Sequence, residues 1–581
     1  MKTFIPGKDA ALEDSISRFQ ATLKSHGFNI EEVSWLNPVP YVWSVHIRDQ
    51  DAPMNFTNGK GATKKAALAS ALGEYFERLS CNYFYADYYL GSNISNSAFV
   101  HYPDEKWFDI PEDDLLPEGI LDDRLTAFYD PENELLASDL VDLQSGNNER
   151  GIVALPFERQ SDGKTVFIPM NIVGNLYVSN GMSAGNTKTE ARTQALSEVF
   201  ERAIKNRIIA EGISLPEMPA EVVARYPHIK EAIDTMEKEG FPIYCYDASL
   251  GGRYPVVCVV LLNPENGTCF ASFGGHPRFE VAFERTVTEL LQGRSLKQLD
   301  VFAEPSFDNE DVADNHNLET HFIDSSGVVS WDLFKSTPDF PFTEWNFEGT
   351  SEEEFHYLMD KFREEDTDVY ITDYDHLGVT CCRIIVPGWS EIYPPEELLL
   401  ANNNMGAQWR DTILSLPESD WSSEEYAALI SELEEEGFDD FNPVAELIGV
   451  APDKGTAWST LRIGELKCLL SLAAGDHESA LDYAGWCLDF NASVYSTDRQ
   501  RFFRSLKASL ELYMDETRDN GQYRAVFDRM FGQETVDAAW ASIDGSKRFH
   551  GLAAADDSLE AFGAHQKLLA SYEKLQKAKQ A

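Results

Sequence analysis

The feature that most constrains this chain is a repeat within it. Residues Gly61 to Arg78 read GATKKAALASALGEYFER, and Gly185 to Arg202 read GNTKTEARTQALSEVFER. Aligned without gaps they share ten of eighteen positions, more than helix composition alone produces. The chain therefore builds one supersecondary unit at least twice. A glycine-rich stretch approaches each copy, Asn58-Gly-Lys-Gly61 in the first and Asn180-Gly-Met-Ser-Ala-Gly185 in the second. A threonine follows where a helix N-cap belongs, so the pattern predicts loop-to-helix entries into helices over 61–78 and 185–202.

Helical periodicity separates the faces of these helices. In the first, Leu68, Leu72, Tyr75 and Phe76 share one side, while Ser70, Glu74 and Glu77, with the small Ala67 and Ala71, share the other. In the second, Leu196, Val199 and Phe200 form the core stripe, and Glu190, Gln194, Glu198 and Glu201 line up on one face. A weaker third copy spans Ala282 to Arg294, where Ala282 and Glu289 keep the seven-residue spacing of Ala67 to Glu74 and of Ala191 to Glu198. Gln292 takes the place of the second glutamate there, and Arg285 shares the face of Glu289.

An acidic helix face is ordinarily solvated surface, and this chain has 98 Asp and Glu against 48 Lys and Arg. Twice-repeated Glu-x-x-Glu-Arg is harder to read that way, because like charges at i, i+3 and i+4 repel. A compensating cation is expected, and Mg²⁺ is the natural one, since it takes carboxylate and phosphate oxygens together. Arg202 and Arg285 are the candidate phosphate contacts.

The formal charge of -50 repels phosphate backbones and anionic lipid surfaces, which argues against nucleic-acid and membrane partners. At 581 residues two or more cores are expected, and 43% hydrophobic residues can fill them. No stretch has the length of a membrane span or the form of a signal peptide. The eight scattered cysteines include no C-x-x-C pair, so they read as reduced, mostly buried thiols of a cytoplasmic protein, with no set for an iron-sulphur cluster. Up to about residue 410, β-rich runs such as Val256 to Leu262 and Cys382 to Pro387 alternate with helical patterns, an α/β (α+β) body of residues 1–410. From 411 to 581 only helical signals remain, and Leu466 to Phe490 resembles one tetratricopeptide-type helix pair. Such a domain serves partners or self-association, and a homodimer is expected.

Ser70-Ala-Leu-Gly-Glu74-Tyr-Phe-Glu77-Arg78 and Glu198-Val-Phe-Glu201-Arg202, with Arg285 and Glu289, resemble the pattern of the YcaO family, whose ATP site is built from carboxylate helices. The resemblance covers the whole chain. It implies a YcaO-type fold with ATP and Mg²⁺ as cofactors. Glu74, Glu77, Glu198, Glu201 and Glu289 are then the metal ligands, and Arg202 and Arg285 contact phosphates. Lys8 and Ser15 are similar to phosphate- and nucleotide-contacting positions, and Ser70, Glu190 and Gln194 complete the nucleotide set. Family members use ATP to phosphorylate a backbone amide oxygen. The branch this chain looks like is implicated in β-methylthiolation of an aspartate in a small-subunit ribosomal protein, beside a radical-SAM methylthiotransferase. The proline-rich tail of ring-forming members is not matched by Lys574 to Ala581, which disfavours azoline synthesis. A non-catalytic ATP-binding scaffold and a peptide thioamide- or azoline-forming enzyme are the alternatives. A P-loop is not, because Gly59-Lys-Gly-Ala-Thr-Lys-Lys65 lacks the second glycine of that motif. His276, His316 and His376 stand alone in sequence and are expected to be structural.

Overall fold

The computed structural model describes residues 2–143, 150–397 and 404–580. Among these residues the body holds three antiparallel sheets. One has the strands Ile30–Val39, Val42–Asp49 and Phe56–Gly61 in sequence order, and another has Thr268–Gly275, Val256–Asn263 and Ile243–Asp247 with Val256–Asn263 in the middle. The third sheet runs Lys106–Phe108, Ile152–Arg159, Tyr370–Tyr374, Thr380–Ile385 and Met182–Gly185, and Thr165–Pro169 also pairs with Ile152–Arg159. The central strand Val256–Asn263 explains its unbroken apolar run, because every residue but Leu262 is buried.

The repeat is a strand-helix unit that occurs three times. An edge strand of each sheet, Phe56–Gly61, Met182–Gly185 and Thr268–Gly275, feeds a repeat helix: Lys64–Ser80, Lys188–Ala210 and Phe279–Leu290. The expected entries into the first two helices were loops; they are strands. Thr63 accepts a hydrogen bond from the Ala66 amide and Thr187 from the Glu190 amide, so both threonines are N-caps.

Glycines let each strand lie directly on its helix. A Cβ on Gly59 would sit 2.1 Å from the Ala67 carbonyl oxygen, and one on Gly274 would sit 2.6 Å from that of Ala282, eight residues on in both copies. Likewise a Cβ on Gly61 or Gly185 would meet the amide nitrogen of Ala67 or Ala191, at 2.9 and 2.5 Å. This corrects one part of the face assignment: Ala67 and Ala71 are fully buried under their strand and do not belong to the open acidic face. The third element also differs from its expected span, since its helix stops at Leu290 and Gly293 turns in the left-handed region with φ +71°.

The three repeat helices sit in three cores. The first packs on the six-stranded sheet, the second on Val256–Asn263 and the helix Ser351–Glu364, and the third on the other face of Val256–Asn263. From Ala407 onward the described residues form helices and turns around a fourth core, including the pair Ile463–Ala474 and His477–Phe490 closed by left-handed Gly475. The last helix, Gly563–Gln580, returns to the body, where Leu568, Tyr572 and Leu575 join the core of the first repeat. All eight cysteines are free and buried.

Candidate functional site

The open faces of the three repeat helices converge on one cavity of about 930 Å³. Every residue singled out from sequence lines it: Ser70, Glu74 and Glu77 from the first helix; Glu190, Gln194, Glu198, Glu201 and Arg202 from the second; Arg285 and Glu289 from the third; Lys8 and Ser15 from the N-terminal segment. Along the second helix the lining runs from Glu190 to Asn206, about 24 Å at 1.5 Å per residue. Helical spacing made this face legible, because residues four apart stack along one side.

Six of the carboxylates that line the cavity come from the repeat helices' open faces, and such groups repel strongly, as two of them 8 Å apart in a protein-like medium do by about 2 kcal/mol. The fold answers each with a cation. Glu190 has Lys8 at 3.5 Å, Glu198 has Arg202 at 3.2 Å, and Glu201 has Arg285 at 3.8 Å. Arg78 lies 3.4 Å from Glu74 and 3.7 Å from Glu77, and Lys60 pairs with Glu289. Burial pushes the Glu77 carboxyl well above the usual carboxylate range, with Arg78 opposing it. Among the described residues no three carboxylate, imidazole or thiolate groups converge into a ready cation cage.

The N-terminal segment closes one end. Ser15 is buried and its hydroxyl donates to Asn186 Oδ1, whose amide donates in turn to Glu190. The Asp9 amide donates to Glu190 Oε2 at 2.8 Å. Gly7, in the left-handed region at φ +74°, lies against His276, so the chain passes close over that ring. Burial pushes the His276 imidazole well below its usual range; its Nδ1 accepts from the Arg278 amide, which fits a structural role. The other end holds Lys205, which donates to the His321 carbonyl and the Ser325 hydroxyl and is pushed down to about 7 by burial.

Sequence reasoning missed Lys60 and Lys205. Lys60 stands on the strand before the first helix, mostly buried, its amine pushed down to about 8 by burial and by Arg285. The gapless repeat alignment carries a signal for it, because the matching position in the second copy is Ala184. Gln292, the substituted position of the third copy, lines the cavity from beyond its helix and donates to the Asn58 carbonyl.

The donor set fits a metal-nucleotide pair. Mg²⁺ is ordinarily held by one or two carboxylates and by phosphate oxygens, so it needs no preformed protein cage. Arg285 Nε and Arg78 Nη1 are buried here without a hydrogen-bond partner, spare donors of the kind an anion satisfies. Glu74, Glu77, Glu198, Glu201 and Glu289 could hold the metal, and Lys8, Arg202 and Arg285 the phosphates.

A family profile described as a YcaO cyclodehydratase that binds ATP and Mg²⁺ matches residues 58–390, and the profile of the YcaO cyclodehydratase C-terminal domain matches residues 406–581. The chain is 66% identical over 580 residues to a protein of Escherichia coli K12 named ribosomal protein S12 methylthiotransferase accessory factor YcaO, covering 100% of this chain and 99% of that one. It is 61% identical over 579 residues to an uncharacterized protein of Haemophilus influenzae, with the same coverage. Among solved structures, a YcaO protein from Methanopyrus kandleri bound with AMPPCP and Mg²⁺ is 18% identical with a TM-score of 0.41, over 67% of this chain and 94% of that one. A heterocyclase in complex with substrate and cofactor is 16% identical with a TM-score of 0.46, over 66% and 52%. Three strand-helix repeats around one acidic, cation-paired cavity, followed by a helical domain, are thus accounted for at once: the chain belongs to the YcaO family, and ATP and Mg²⁺ are its cofactors.

Proposed function

We propose that this chain is the accessory factor for β-methylthiolation of an aspartate in ribosomal protein S12, acting beside a radical-SAM methylthiotransferase in the cytoplasm and using ATP to activate a backbone amide. The observation that carries the reading is the single cavity in which carboxylates and guanidinium groups from three repeats alternate, in a chain 66% identical end to end to a protein of that name. ATP held with Mg²⁺ supplies the phosphoryl group that makes an amide carbon open to a nucleophile. Glu74, Glu77, Glu198, Glu201 and Glu289 hold the metal, Arg202 and Arg285 orient and neutralise the phosphates, and Lys8, Ser15, Ser70, Glu190 and Gln194 fix the rest of the nucleotide. Chemistry of this kind rests on positioning and charge neutralisation more than on a covalent nucleophile.

Residues 411–581 form a second, TPR-like unit in this reading, a surface for partners and for a homodimer. Exposed Phe441 and Phe490, which pack on each other beside Trp486, favour that role. The test is the modification state of S12, read by mass spectrometry in cells lacking this chain. Methylthiolated S12 falls in those cells, is restored by the intact chain, and is not restored by Glu198→Ala. Full restoration by Glu198→Ala would leave a scaffold that works without its nucleotide.

A further inference from the structure

Lys60 is a cation of this cavity that the repeat does not explain. Arg78 and Arg202 occupy one repeat position, and Arg285 lies on the third repeat helix. Lys60 comes instead from the strand Phe56–Gly61, and the second copy has Ala184 at the same place on its strand, also lining the cavity. Its ammonium pairs with Glu289, and its strand neighbour Asn58 receives the Gln292 amide, so strand and third helix are tied twice at this point. The charged groups facing it from the other elements are Glu74, Glu198 and Glu201, which attract it, and Arg285, which repels it. It is therefore a positive charge placed where the acids of all three repeats meet.

We propose that Lys60 is a resident counter-cation that closes the acidic site against free divalent metal, so that metal and nucleotide enter only together. The inference rests on the metal-site reading above. Six of the acids that line the cavity are already paired with five of its cations, Arg78 serving both Glu74 and Glu77. Metal arriving alone must break acid-cation pairs and leave Lys60, Arg202 and Arg285 without partners. A triphosphate arriving alone must do the reverse and leave the carboxylates bare. Arriving together, the metal takes the acids and the phosphates take the released cations, and every charge keeps a partner. This is positive coupling between two ligands, and linkage requires it to be equal in both directions. Lys60 is a positioning residue in this account: it sets the coupling.

The experiment is calorimetric titration of the full-length chain with MgCl₂ alone, with ATP in the presence of a chelator, and with both. In the intact chain each ligand tightens the other at least about tenfold, a coupling of the usual size. Lys60→Met, which keeps the length of the stem, binds Mg²⁺ alone at least about tenfold more tightly than the intact chain and loses most of the coupling. It also melts lower than the intact chain without metal and recovers with Mg²⁺ alone, a gain that a folding defect does not produce. Lys60→Arg keeps the coupling. Lys60→Gln serves where Lys60→Met is not obtained folded. Unchanged Mg²⁺ affinity in these variants, with loss of ATP binding instead, overturns the proposal and makes Lys60 a plain phosphate contact. Equal Mg²⁺ affinity with and without ATP in the intact chain overturns it too. The Mg²⁺-only arm reads Lys60 without nucleotide, so a chain that fails to bind ATP sinks the ATP reading separately.

Discussion

Glu391 shows how one half-buried residue writes itself into the stability of the chain. It receives the Tyr177 hydroxyl at 2.9 Å, and Tyr177 is in turn joined to Tyr129, a polar thread through the core of the first repeat. Burial pushes its carboxyl up to about 7 from an ordinary 4.5. The folded chain then holds this proton more tightly than the unfolded chain. Stability is fully present below about 4.5 and falls as pH rises from there to 7, by about 3 kcal/mol if no other group compensates. Glu391→Gln is expected to flatten that slope and to be the more stable protein at pH 8, as read by denaturant unfolding across the range. The sequence carries no sign of this residue, because nothing periodic marks it. The acidic face of the second repeat helix was legible for the opposite reason, with Glu190, Gln194, Glu198 and Glu201 set out at helical spacing. Ala67 and Ala71 were misread because periodicity places a residue on a face and does not say what covers that face; the glycines of the preceding strand decide it.

At the scale of elements, the helices were legible and their surroundings were not. Threonine N-caps, apolar stripes and the shared spacing announced the first two repeat helices. The strands before them were hidden, because glycine-rich segments read as loops when the partner strand is unknown. The docking of Gly563–Gln580 was equally hidden, since it joins residues nearly 500 positions apart. Lys579 of that helix is buried, donates to Asn82 Oδ1 and to the His101 carbonyl, and lies 3.8 Å from the centre of the Tyr102 ring. Asn82 lies two residues beyond the helix that carries Glu74, Glu77 and Arg78, and the Tyr102 hydroxyl donates to the Ser80 carbonyl of that helix. Removing Lys579 leaves the Asn82 and His101 oxygens short of a buried donor. Lys579→Met is therefore expected to cost about 1 to 3 kcal/mol. Thermal melting of the full chain checks this, and an unchanged midpoint would mean that the last helix is only laid against the body.

For the whole molecule, three sheets contribute one strand-helix unit each, and the cavity exists only where the three units meet. Each repeat supplies part of its lining: the first Glu74 and Glu77, the second Glu198, Glu201 and Arg202, the third Arg285 and Glu289. Among the described residues no helix is long and apolar enough to cross a membrane. ATP bound with Mg²⁺ between these helices is checked by calorimetric ATP titration, with and without Mg²⁺, in the intact chain, Glu74→Ala and Glu198→Ala. Metal-dependent binding is expected in the intact chain, weakened at least about tenfold in each variant, roughly the loss of one metal-carboxylate contact or about 1.4 kcal/mol. ATP binding of equal strength in all three proteins would contradict it and return the acidic faces to the status of solvated surface.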